Sequence, residues 1–384
     1  MRTVTLGEIA VWGSGGTPKR GITEYFGDGI PWLSIADLND GVVASARESL
    51  THAGVANSSA KIVPAGTIFI AMYGSIGKLG IAGTAMATSQ AIAFAKPNDD
   101  VVDRRFLFHF LLAERPKLQA LGRGGTQMNI GQADLKAWPI PLPPLPEQRR
   151  IAAILDHADA LRAKRRQVLT HFDSLTHSIF NEMFSGVQAT STVEAESSRI
   201  RTGPFGSQLL HSEFVDEGIA VLGLDNVVGN EFRWGERRFI TPSKYEKLKR
   251  YTVEPHDVLI SIMGTTGRCV VVPNDIPTAI NTKHICAITP DDSRINSTFL
   301  RAAFLWHPDS LAHLRRQTKG SIMDGLNMGI IKTMPIPVPP LSQQQTFAAL
   351  AEQVTAANHT ATRAASTDCE LFSSLQARAF RGEI

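Results

Sequence analysis

Two glycine turns, each ending in a cation, are the groups in this chain whose spacing most suggests chemistry. Residues 74–78 are Gly-Ser-Ile-Gly-Lys, and residues 264–268 are Gly-Thr-Thr-Gly-Arg. A Walker A phosphate loop needs glycine where Met72 stands and serine or threonine where Leu79 stands, so nucleoside triphosphate binding is disfavoured. A glycine turn can instead bring backbone N–H groups and one cation close to a DNA phosphate or base edge. A tight β-turn whose cation lies in solvent is the open alternative.

A second pair of loops carries side chains that recognise nucleic acids. Residues 123–129 are Arg-Gly-Gly-Thr-Gln-Met-Asn, and residues 315–321 are Arg-Arg-Gln-Thr-Lys-Gly-Ser. Arg, Lys, Gln and Asn contact guanine and adenine edges and phosphates, and glycine lets the backbone approach a ligand closely. A solvated surface loop has a similar composition, so that alternative also stays open.

Several catalytic signatures are missing from the sequence. The only Pro-Pro pairs follow Leu142 and Val338, so there is no Asn/Asp/Ser-Pro-Pro-aromatic loop of an amino-methyltransferase. There is also no Gly-x-Ser-x-Gly nucleophile elbow and no His-Glu-x-x-His zinc helix. These absences favour a binding protein over an enzyme.

The elements that must position these loops occur twice. Residues 138–145 (Trp-Pro-Ile-Pro-Leu-Pro-Pro-Leu) return as residues 334–341 (Met-Pro-Ile-Pro-Val-Pro-Pro-Leu). Each copy predicts a mixed α/β domain of about 140–150 residues, a common domain size. Two similar domains predict a pseudo-two-fold molecule suited to a target with two parts. The matching segments are 29–38 with 218–226 and 63–78 with 253–268. Strands are predicted at 67–72, 257–262 and 268–272. Helices are predicted at 103–118 and 296–314.

A long helical segment follows each proline motif. Proline breaks both helix and sheet, so each motif is expected to be an extended strut that isolates the helix from its domain. About 40 residues at 1.5 Å per residue would make a rod of about 60 Å. Ordinary surface helices are the alternative. Apolar steps of three and four predict a coiled-coil seam at Ile151, Ile154, Ala158, Leu161, Val168, Phe172, Leu175 and Ile179, and at Phe347, Leu350, Val354, Ala357, Ala361, Ala364, Leu371 and Leu375.

Composition sets broad limits on location and partners. The net charge of +3 over 384 residues does not by itself indicate a nucleic-acid-binding protein. Three cysteines without a Cys-x-x-Cys pair indicate neither a disulfide framework nor a zinc site. The N-terminus lacks the apolar run of a signal peptide. The most apolar stretch, residues 66–87, is broken by glycines and Lys78, which disfavours a membrane span. A reducing cytoplasm is therefore expected.

Three features together resemble the specificity subunit of Type I restriction–modification systems. They are residues 13–20 (Gly-Ser-Gly-Gly-Thr-Pro-Lys-Arg), the paired glycine turns, and residues 141–152 (Pro-Leu-Pro-Pro-Leu-Pro-Glu-Gln-Arg-Arg-Ile-Ala). The second copy departs from this pattern, with Ser-Gln-Gln-Gln at residues 342–345 where the first has Pro-Glu-Gln-Arg. Residues 200–207 lack the Gly-Gly-Thr-Pro form and resemble the family's other common variant.

The resemblance covers the whole chain and implies its architecture. The implied fold is α+β (mixed α/β), with two similar target-recognition domains joined by two long helices that pair as an antiparallel coiled coil. The implied boundaries are 1–141 for the first recognition domain, 142–186 for the central helix, 187–337 for the second domain and 338–384 for the C-terminal helix. Two modules on one face of B-DNA lie about 34–36 Å apart, which such a rod can span.

The resemblance also implies a non-catalytic DNA reader with protein partners. Each domain would read one half of a split, asymmetric site in double-stranded DNA, and the helices would fix the gap. Methyltransferase subunits would dock on the helices, and motor–nuclease subunits would join through them. The chain itself would hold no cofactor, since S-adenosylmethionine, ATP and magnesium would belong to the partner subunits. No membrane partner is expected.

The residues expected to contact DNA and partners follow from these loops and motifs. A stand-alone nuclease or methyltransferase with built-in recognition domains, and a scaffold that binds protein but not DNA, remain as alternatives. Candidates for DNA contact are Lys19, Arg20, Lys78, Arg123 and Gln127 in the first domain and Gln208, Arg268, Lys283, Arg315, Arg316 and Lys319 in the second, and candidates for partner contact are Glu147, Gln148, Arg149 and Gln344.

Overall fold

The computed structural model describes residues 2–123, 128–318 and 326–384, apart from the side chains of Asp173 and Thr318. The chain forms two compact units: unit 1 comprises Met1–Gln167 and Arg363–Ile384, and unit 2 comprises Val168–Thr362. Each unit contains the main part of one expected domain together with parts of both long helices. The division between the units falls inside both long helices. It therefore does not test the domain boundaries given above, which stay predictions.

Each unit is a set of short strands covered by helices. The strands of unit 1 are β1 (Arg2–Thr5), β2 (Ala10–Ser14), β3 (Phe26–Leu33), β4 (Val42–Val43), β5 (Glu48–Leu50), β6 (Ile68–Ala71), β7 (Leu79–Ala82), β8 (Ala87–Thr88), β9 (Ile92–Pro97) and β10 (Pro139–Leu142). Its helices are α1 (Leu6–Ile9), α2 (His52–Ala56), α3 (Arg104–Ala120), α4 (Gln132–Ala137), the first part of α5 (Leu145–Phe184) and the last part of α10 (Leu341–Arg381).

Unit 2 repeats this content. Its strands are β11 (Ser191–Thr192), β12 (Ser197–Thr202), β13 (Ile219–Leu222), β14 (Phe239–Ile240), β15 (Thr252–Val253), β16 (Val258–Ser261), β17 (Cys269–Val271), β18 (Ala279–Asn281), β19 (Ile285–Pro290) and β20 (Pro335–Ile336). Its helices are α6 (Pro242–Leu248), α7 (Ser297–Trp306), α8 (Pro308–Thr318), α9 (Met328–Lys332), the last part of α5 and the first part of α10.

The two units share one pattern of strand pairing. The larger sheet of unit 1 has the order β2-β9-β6-β7-β4, and the matching sheet of unit 2 has the order β12-β19-β16-β17. In the smaller sheet, β3 runs parallel to β8 and antiparallel to β5, and β13 runs parallel to β18 and antiparallel to β14. The inner strands β6 and β16 are buried at every residue, as their continuous apolar sequences indicate. The predicted mixed α/β fold and its duplication are confirmed.

The helix expected at 296–314 is interrupted by a proline. Its N-terminus is as predicted, because the Asn296 side chain accepts hydrogen bonds from the backbone N–H groups of Thr298 (2.9 Å) and Phe299 (3.1 Å). His307 then adopts an extended backbone (φ −69°, ψ 132°), since the residue before a proline avoids the helical region. Pro308 starts α8, where its missing N–H would be unpaired in any residue. The prediction of a single helix here is wrong.

The proline motifs form strands and not isolated struts. β10 pairs antiparallel with β1, and β20 pairs antiparallel with β11. Proline is tolerated because each two-stranded sheet leaves one edge of each strand free of ladder hydrogen bonds. The helix that follows β10 is also not isolated, since Ile151 and Leu155 of α5 are fully buried in the unit 1 core. The expected separation of helix and domain is therefore wrong for unit 1.

The buried faces of the long helices follow the predicted seam only in part. Ile151, Phe347 and Ala361 are buried as predicted. Leu155, Phe372 and Ala351 are buried, and each lies one position after a predicted seam residue. Several other predicted positions are exposed: Leu161 is 50% exposed and Leu371 is 56% exposed. Half-buried Arg162 stacks on Phe372 at 4.2 Å in unit 1, which places a long polar side chain where the sequence pattern expected leucine. The seam prediction is wrong for Leu161, Val168, Leu175, Leu350 and Leu371.

In both units the two long helices contact each other through their opposite ends. In unit 1, Arg165 of α5 donates a hydrogen bond to Asp368 of α10 (2.9 Å). In unit 2, Phe180 of α5 packs edge-on against Phe347 of α10, with ring centroids 5.6 Å apart. The beginning of each helix thus packs with the end of the other, as an antiparallel pair requires.

A buried histidine ties α5 to α3 in unit 1. His109 is fully buried on α3, and its Nε2 donates to Asp156 of α5 (2.7 Å). Arg105 pairs with the same carboxylate, and the ring of Phe372 packs against the imidazole. Burial lowers the pKa of His109, although the hydrogen bond to Asp156 opposes this. The imidazole is therefore neutral at pH 7, and charging it costs folding free energy.

The stability of unit 1 is expected to fall as the pH drops below about 6.5, the ordinary pKa of histidine. Because the folded pKa of His109 is lowered, the unfolded chain binds the proton more readily and the contribution is complete only above that pH. Urea unfolding at pH 7.5 and pH 5.5 measures this, with His109→Gln as the comparison. The variant should lose less stability on acidification than the wild type. Equal losses would contradict the assignment to His109.

Candidate nucleic-acid interface

The repeated glycines form the same backbone turn in both units. Gly74 and Gly77 have φ of 61° and 79°, and Gly264 and Gly267 have φ of 74° and 77°. Residues with a Cβ rarely adopt these angles, so the backbone conformation itself requires glycine. Each turn joins two adjacent antiparallel strands of the larger sheet: β6 to β7 in unit 1 and β16 to β17 in unit 2.

The cations that end the two turns have different environments. Lys78 is half-buried, and its ammonium donates to the carbonyl oxygen of Ile35 (3.2 Å). Arg268 is exposed, and its backbone N–H donates to the hydroxyl of Ser261 (2.9 Å). The Arg268 side chain is thus free to face solvent, whereas the Lys78 ammonium is bonded within its own unit. A DNA contact remains a prediction for both and is better supported for Arg268.

In unit 1 the second loop lies directly against the glycine turn. The backbone N–H of Gly74 donates to the carbonyl of Met128 (3.1 Å), and Arg123 and Asn129 exchange two backbone hydrogen bonds of 2.8 and 2.9 Å. Arg123 is exposed at this junction. The structure therefore brings Arg123 and the turn to one surface, while Gln127 lies outside the described residues.

At the N-terminal loop, Lys19 and Arg20 are both exposed, and Arg20 is paired with residues of its own unit. The Arg20 guanidinium makes two hydrogen bonds to Glu48 (2.7 and 2.9 Å) and stacks over the rings of Phe26 and Trp32 at 4.9 Å each. The hydrogen bond to Glu48 raises the pKa of Arg20. Contact between Arg20 and DNA would have to compete with this pairing.

In unit 2 the predicted residues occupy three different places. Gln208 is exposed, and its Oε1 accepts a hydrogen bond from the hydroxyl of Tyr251 (2.8 Å). Lys283 is half-buried in the wall of a cavity. Arg315 and Arg316 are exposed on the last turn of α8, and Lys319 lies outside the described residues.

Two of the four residues predicted to contact a partner, Gln148 and Gln344, are not at the surface, which contradicts a direct contact. Gln148 and Gln344 are fully buried. The Gln148 amide donates to the carbonyls of Pro143 (2.8 Å) and Val101 (3.1 Å) and accepts from the N–H of Asp103 (2.8 Å). These bonds fix the start of α5 to the start of α3, so Gln148 stabilises its own unit.

Gln344 makes the corresponding bonds in unit 2. Its amide donates to the carbonyls of Pro339 (2.8 Å) and Arg294 (3.2 Å) and accepts from the N–H of Asn296 (2.9 Å). By contrast, Arg149 is exposed, and half-buried Glu147 pairs with Arg150 at 2.7 Å. Of the four predicted residues, Arg149 and Glu147 remain candidates for partner contact.

An exposed basic and aromatic segment in unit 2 was not singled out from the sequence. Residues 233–237 are all exposed, and the Arg237 guanidinium stacks over the ring of Trp234 at 5.3 Å. Half-buried Arg301 anchors the segment before it by donating to the carbonyls of Asn230 (2.5 Å) and Cys269 (3.0 Å). The three arginines and two aromatic residues between 232 and 238 were an available signal, since such side chains stack on bases and contact phosphates.

The described residues offer little support for thiol chemistry, metal binding or a membrane-spanning helix. Burial raises the pKa of Cys269 and of Cys286 to about 12, so both thiols are neutral. Within residues 2–123, 128–318 and 326–384, no group of three His, Cys, Asp or Glu side chains is placed to hold a metal ion. No helix among these residues is both long and apolar enough to cross a membrane.

Curated relatives of this chain share part of its length. It is 30% identical over 167 residues to the Type I restriction enzyme EcoR124I/EcoR124II specificity subunit of Escherichia coli. The aligned residues cover 41% of this chain and 40% of that protein. It is 22% identical over 389 residues to the EcoBI specificity subunit of Escherichia coli, covering 93% of this chain and 80% of that protein. The chain thus spans about two fifths of the length of the first relative.

A solved structure shows the same fold over nearly the whole chain. The S subunit of a Type I restriction–modification system from M. genitalium has a TM-score of 0.60 at 16% identity, covering 99% of this chain and 96% of that one. The family model of the Type I restriction modification DNA specificity domain matches residues 1–171 and 220–365. With both of its repeated units matched, the chain belongs to the family of Type I restriction–modification DNA specificity proteins.

Proposed function

We propose that this chain is the DNA-specificity subunit of a Type I restriction–modification complex and that each unit reads one half of a bipartite, asymmetric site. The main support is that one strand topology is repeated while the side chains at its loops differ. The turn after β6 ends in the internally bonded Lys78, and the turn after β16 ends in the exposed Arg268. A repeated frame with different loops suits a target that has two unlike halves.

The long helices are the proposed spacer between the half-sites. Their contacts in each unit support pairing as an antiparallel coiled coil along their length. A helix of 40 residues is about 60 Å long, which exceeds the 34–36 Å between sites one DNA turn apart. The helices would set the gap by fixing where each unit is attached.

Methyltransferase subunits are the proposed partners of the helices, with motor–nuclease subunits joining through them. Leu161 and Leu371 in unit 1, and Leu175 and Leu350 in unit 2, are 37–56% exposed, and exposed apolar side chains at regular helical spacing suit a protein partner. S-adenosylmethionine, ATP and magnesium would belong to those partners. A cytoplasmic location follows from this role.

A stand-alone enzyme is the weaker alternative. The one Asp-x-Lys sequence in the chain, of the kind used by magnesium nucleases, starts at Asp134. The Asp134 carboxylate caps α4 by accepting from the N–H of Gly131 (3.2 Å), and the described residues offer no acidic cluster for metal. Cleavage or methyl transfer by the purified chain with DNA, magnesium and methyl donor would overturn the non-catalytic assignment.

Alanine variants of exposed arginines should weaken DNA binding measurably. If the arginine reads a base, Arg123→Ala in unit 1 and Arg268→Ala in unit 2 should each weaken the free energy of DNA binding by about 1–3 kcal/mol. If it contacts a phosphate, each should reduce the slope of log K against log salt concentration by about one. Fluorescence anisotropy with duplex DNA at several salt concentrations separates the two roles. Arg381→Ala is the matched control, because Arg381 is exposed and pairs only with nearby Glu383 in the described structure. Unchanged binding and salt slope in both test variants would refute the proposed contacts.

Mapping methylated bases in the host genome tests the whole proposal, including the scaffold alternative. Deleting this chain should abolish methylation at one split motif and leave other motifs unchanged. A scaffold that does not read DNA would leave no split motif dependent on the chain.

A further inference from the structure

Each unit places one non-glycine residue with a left-handed backbone beside its glycine turn. Asp40 has φ of 58° and Asn230 has φ of 56°, and aspartate and asparagine are among the residues other than glycine that adopt this conformation most readily. Asn230 is separated from Asp40 by the same offset that separates residues 253–268 from residues 63–78. Asp40 and Asn230 are therefore counterparts in the repeat.

These two side chains hold the backbone directly after the cation of each glycine turn. In unit 1, Asp40 Oδ1 accepts a hydrogen bond from the N–H of Leu79 (2.9 Å), and the Asp40 N–H donates to the Leu79 carbonyl (2.9 Å). In unit 2, Asn230 Oδ1 accepts from the N–H of Cys269 (3.0 Å). Leu79 and Cys269 each follow the cation immediately in sequence, so the same backbone position is fixed in both units.

In unit 1 an arginine of α3 holds both Asp40 and the glycine turn. The Arg115 guanidinium pairs with the Asp40 carboxylate through hydrogen bonds of 2.5 and 3.1 Å, and its Nε donates to the carbonyl of Gly77 (2.8 Å). A Cβ on Gly77 would lie only 2.9 Å from Cγ of Arg115, so the aliphatic part of the arginine packs against the turn. One side chain thus connects α3, Asp40 and the residue before the cation.

In unit 2 an arginine of α7 has the same role. Arg301 donates through Nε to the carbonyl of Cys269 (3.0 Å) and through a terminal nitrogen to the carbonyl of Asn230 (2.5 Å). Arg115 lies in the last part of α3 and Arg301 in the middle of α7, so the two arginines are not counterparts in the repeat. The units fix the same backbone position from different places on the helix, which indicates that the fixed position itself matters.

The fixed backbone carries groups of the proposed DNA-binding surface. In unit 2, exposed Arg268 precedes Cys269, and the exposed basic and aromatic segment 233–237 lies shortly after Asn230. A long side chain on a backbone that is already fixed has less conformational freedom to lose when it binds. Stabilising the edge of the sheet is the other use for the same bonds, but that use alone would not make DNA affinity depend on Asn230.

We infer that Asp40 and Asn230, each held with its helix arginine, are positioning residues that fix the cation of the adjacent glycine turn for contact with DNA. They act through Lys78 and Arg268 and do not themselves touch DNA. The inference deepens the proposed DNA-binding function and rests on it. The effect should be larger in unit 2, because Arg268 is exposed whereas Lys78 is also bonded to Ile35.

A double-mutant cycle on the full-length chain tests this positioning role. Asn230→Gly keeps the left-handed backbone and removes the side-chain acceptor. Its affinity for a labelled duplex that carries the split motif mapped by methylation should fall about tenfold, as for loss of one arginine contact. In the Arg268→Ala background the same change should weaken binding less than about twofold, because the cation that it positions is already absent. Fluorescence anisotropy measures all four affinities.

A second variant tests the arrangement from the helix side of unit 1. Arg115→Lys keeps the positive charge, but a single ammonium cannot reproduce the fork that bonds Asp40 and Gly77 together. It should weaken binding in the wild-type background and not in the Lys78→Ala background, and it keeps the inference testable if Asn230→Gly does not fold. Asp292→Gly, at an exposed position of unit 2, is the control and should bind like the wild type. Thermal melting checks that each variant folds.

Two results would overturn the inference. One is wild-type affinity in folded Asn230→Gly and Arg115→Lys, even with lower melting temperatures, since the bonds would then serve only to stabilise the sheet. The other is an equal loss with and without the cation, since these residues would then not act through it. If the wild-type chain binds the duplex in either case, the proposed DNA-specificity function stands. If the wild type does not bind the duplex, that function fails first.

Discussion

Replacing Asp257 by asparagine should lower the free energy of unfolding of unit 2 by about 3–5 kcal/mol, the usual cost of removing one partner from a buried ion pair. Asp257 is fully buried, and its carboxylate lies 2.5 Å from a guanidinium nitrogen of Arg201, which is 7% exposed. The same carboxylate accepts from the hydroxyl of Thr289 (2.6 Å) and the N–H of Glu254 (2.8 Å). Burial already lowers the pKa of Arg201, and a neutral amide would leave this cation without its counter-charge.

Urea unfolding measures the loss, and two further variants locate its cause. Arg201→Met combined with Asp257→Asn removes both charges and should recover part of the stability, because the main cost is an unpaired buried charge. Asp216→Asn, at an exposed position, should change stability by less than about 0.5 kcal/mol. A loss below about 1 kcal/mol for Asp257→Asn would show that the pair contributes little to unit 2.

The repeat explains why this ion pair was not predicted from sequence. In the matched segments Asp257 corresponds to Thr67, so the first copy gave no sign of a carboxylate at the start of the predicted strand 257–262. In unit 1, Phe94 lies across the strand pair from Gly13, and a Cβ on Gly13 would collide with its ring. In unit 2, Arg201 lies opposite Ala287. The corresponding strand pair thus has phenylalanine opposite glycine in unit 1 and arginine opposite alanine in unit 2, and only the folded sheet shows this difference.

The long helices show a different limit of sequence reasoning. Periodicity predicted both helices well, because apolar steps of three and four are local properties of the chain. The buried face could not be chosen in this way, since Ile154 and Leu155 are adjacent and both apolar. Leu155 is buried because it packs in the core of unit 1, and that contact depends on the tertiary fold. The exposed Leu161 and Leu371 then become candidates for protein contact instead of the seam.

The predicted site residues show the same difference between what local sequence indicates and what depends on the tertiary fold. Composition located the exposed cations, including Arg123, Arg268 and Arg316, because glycine-rich and polar loops lie at the surface. It did not show that Arg20 is paired with Glu48 or that Lys78 is bonded to a backbone carbonyl, since those partners are distant in sequence.

Gln148→Leu and Gln344→Leu should each lower the free energy of unfolding by about 3 kcal/mol or more. Either change leaves one buried backbone N–H and two carbonyls without the partners described above, and each unpaired buried group costs about 1–3 kcal/mol. Leucine is similar in size, so a cavity adds little to the effect. Because the two glutamines make matching bonds, the losses should be alike in both units.

Hydrogen exchange gives a local measurement that does not require both units to unfold together. In Gln148→Leu, the amide of Asp103 should lose protection, and in Gln344→Leu the amide of Asn296 should, because these N–H groups donate to the two glutamines. Gln343→Leu, at an exposed neighbouring position, is the matched control and should preserve both. A loss in only one variant would mean that the proline motif and its helix are held differently in the two units. Equal losses would show that one buried amide fixes the start of each spacer helix, which makes the two glutamines structural counterparts and leaves partner contact to exposed residues such as Arg149.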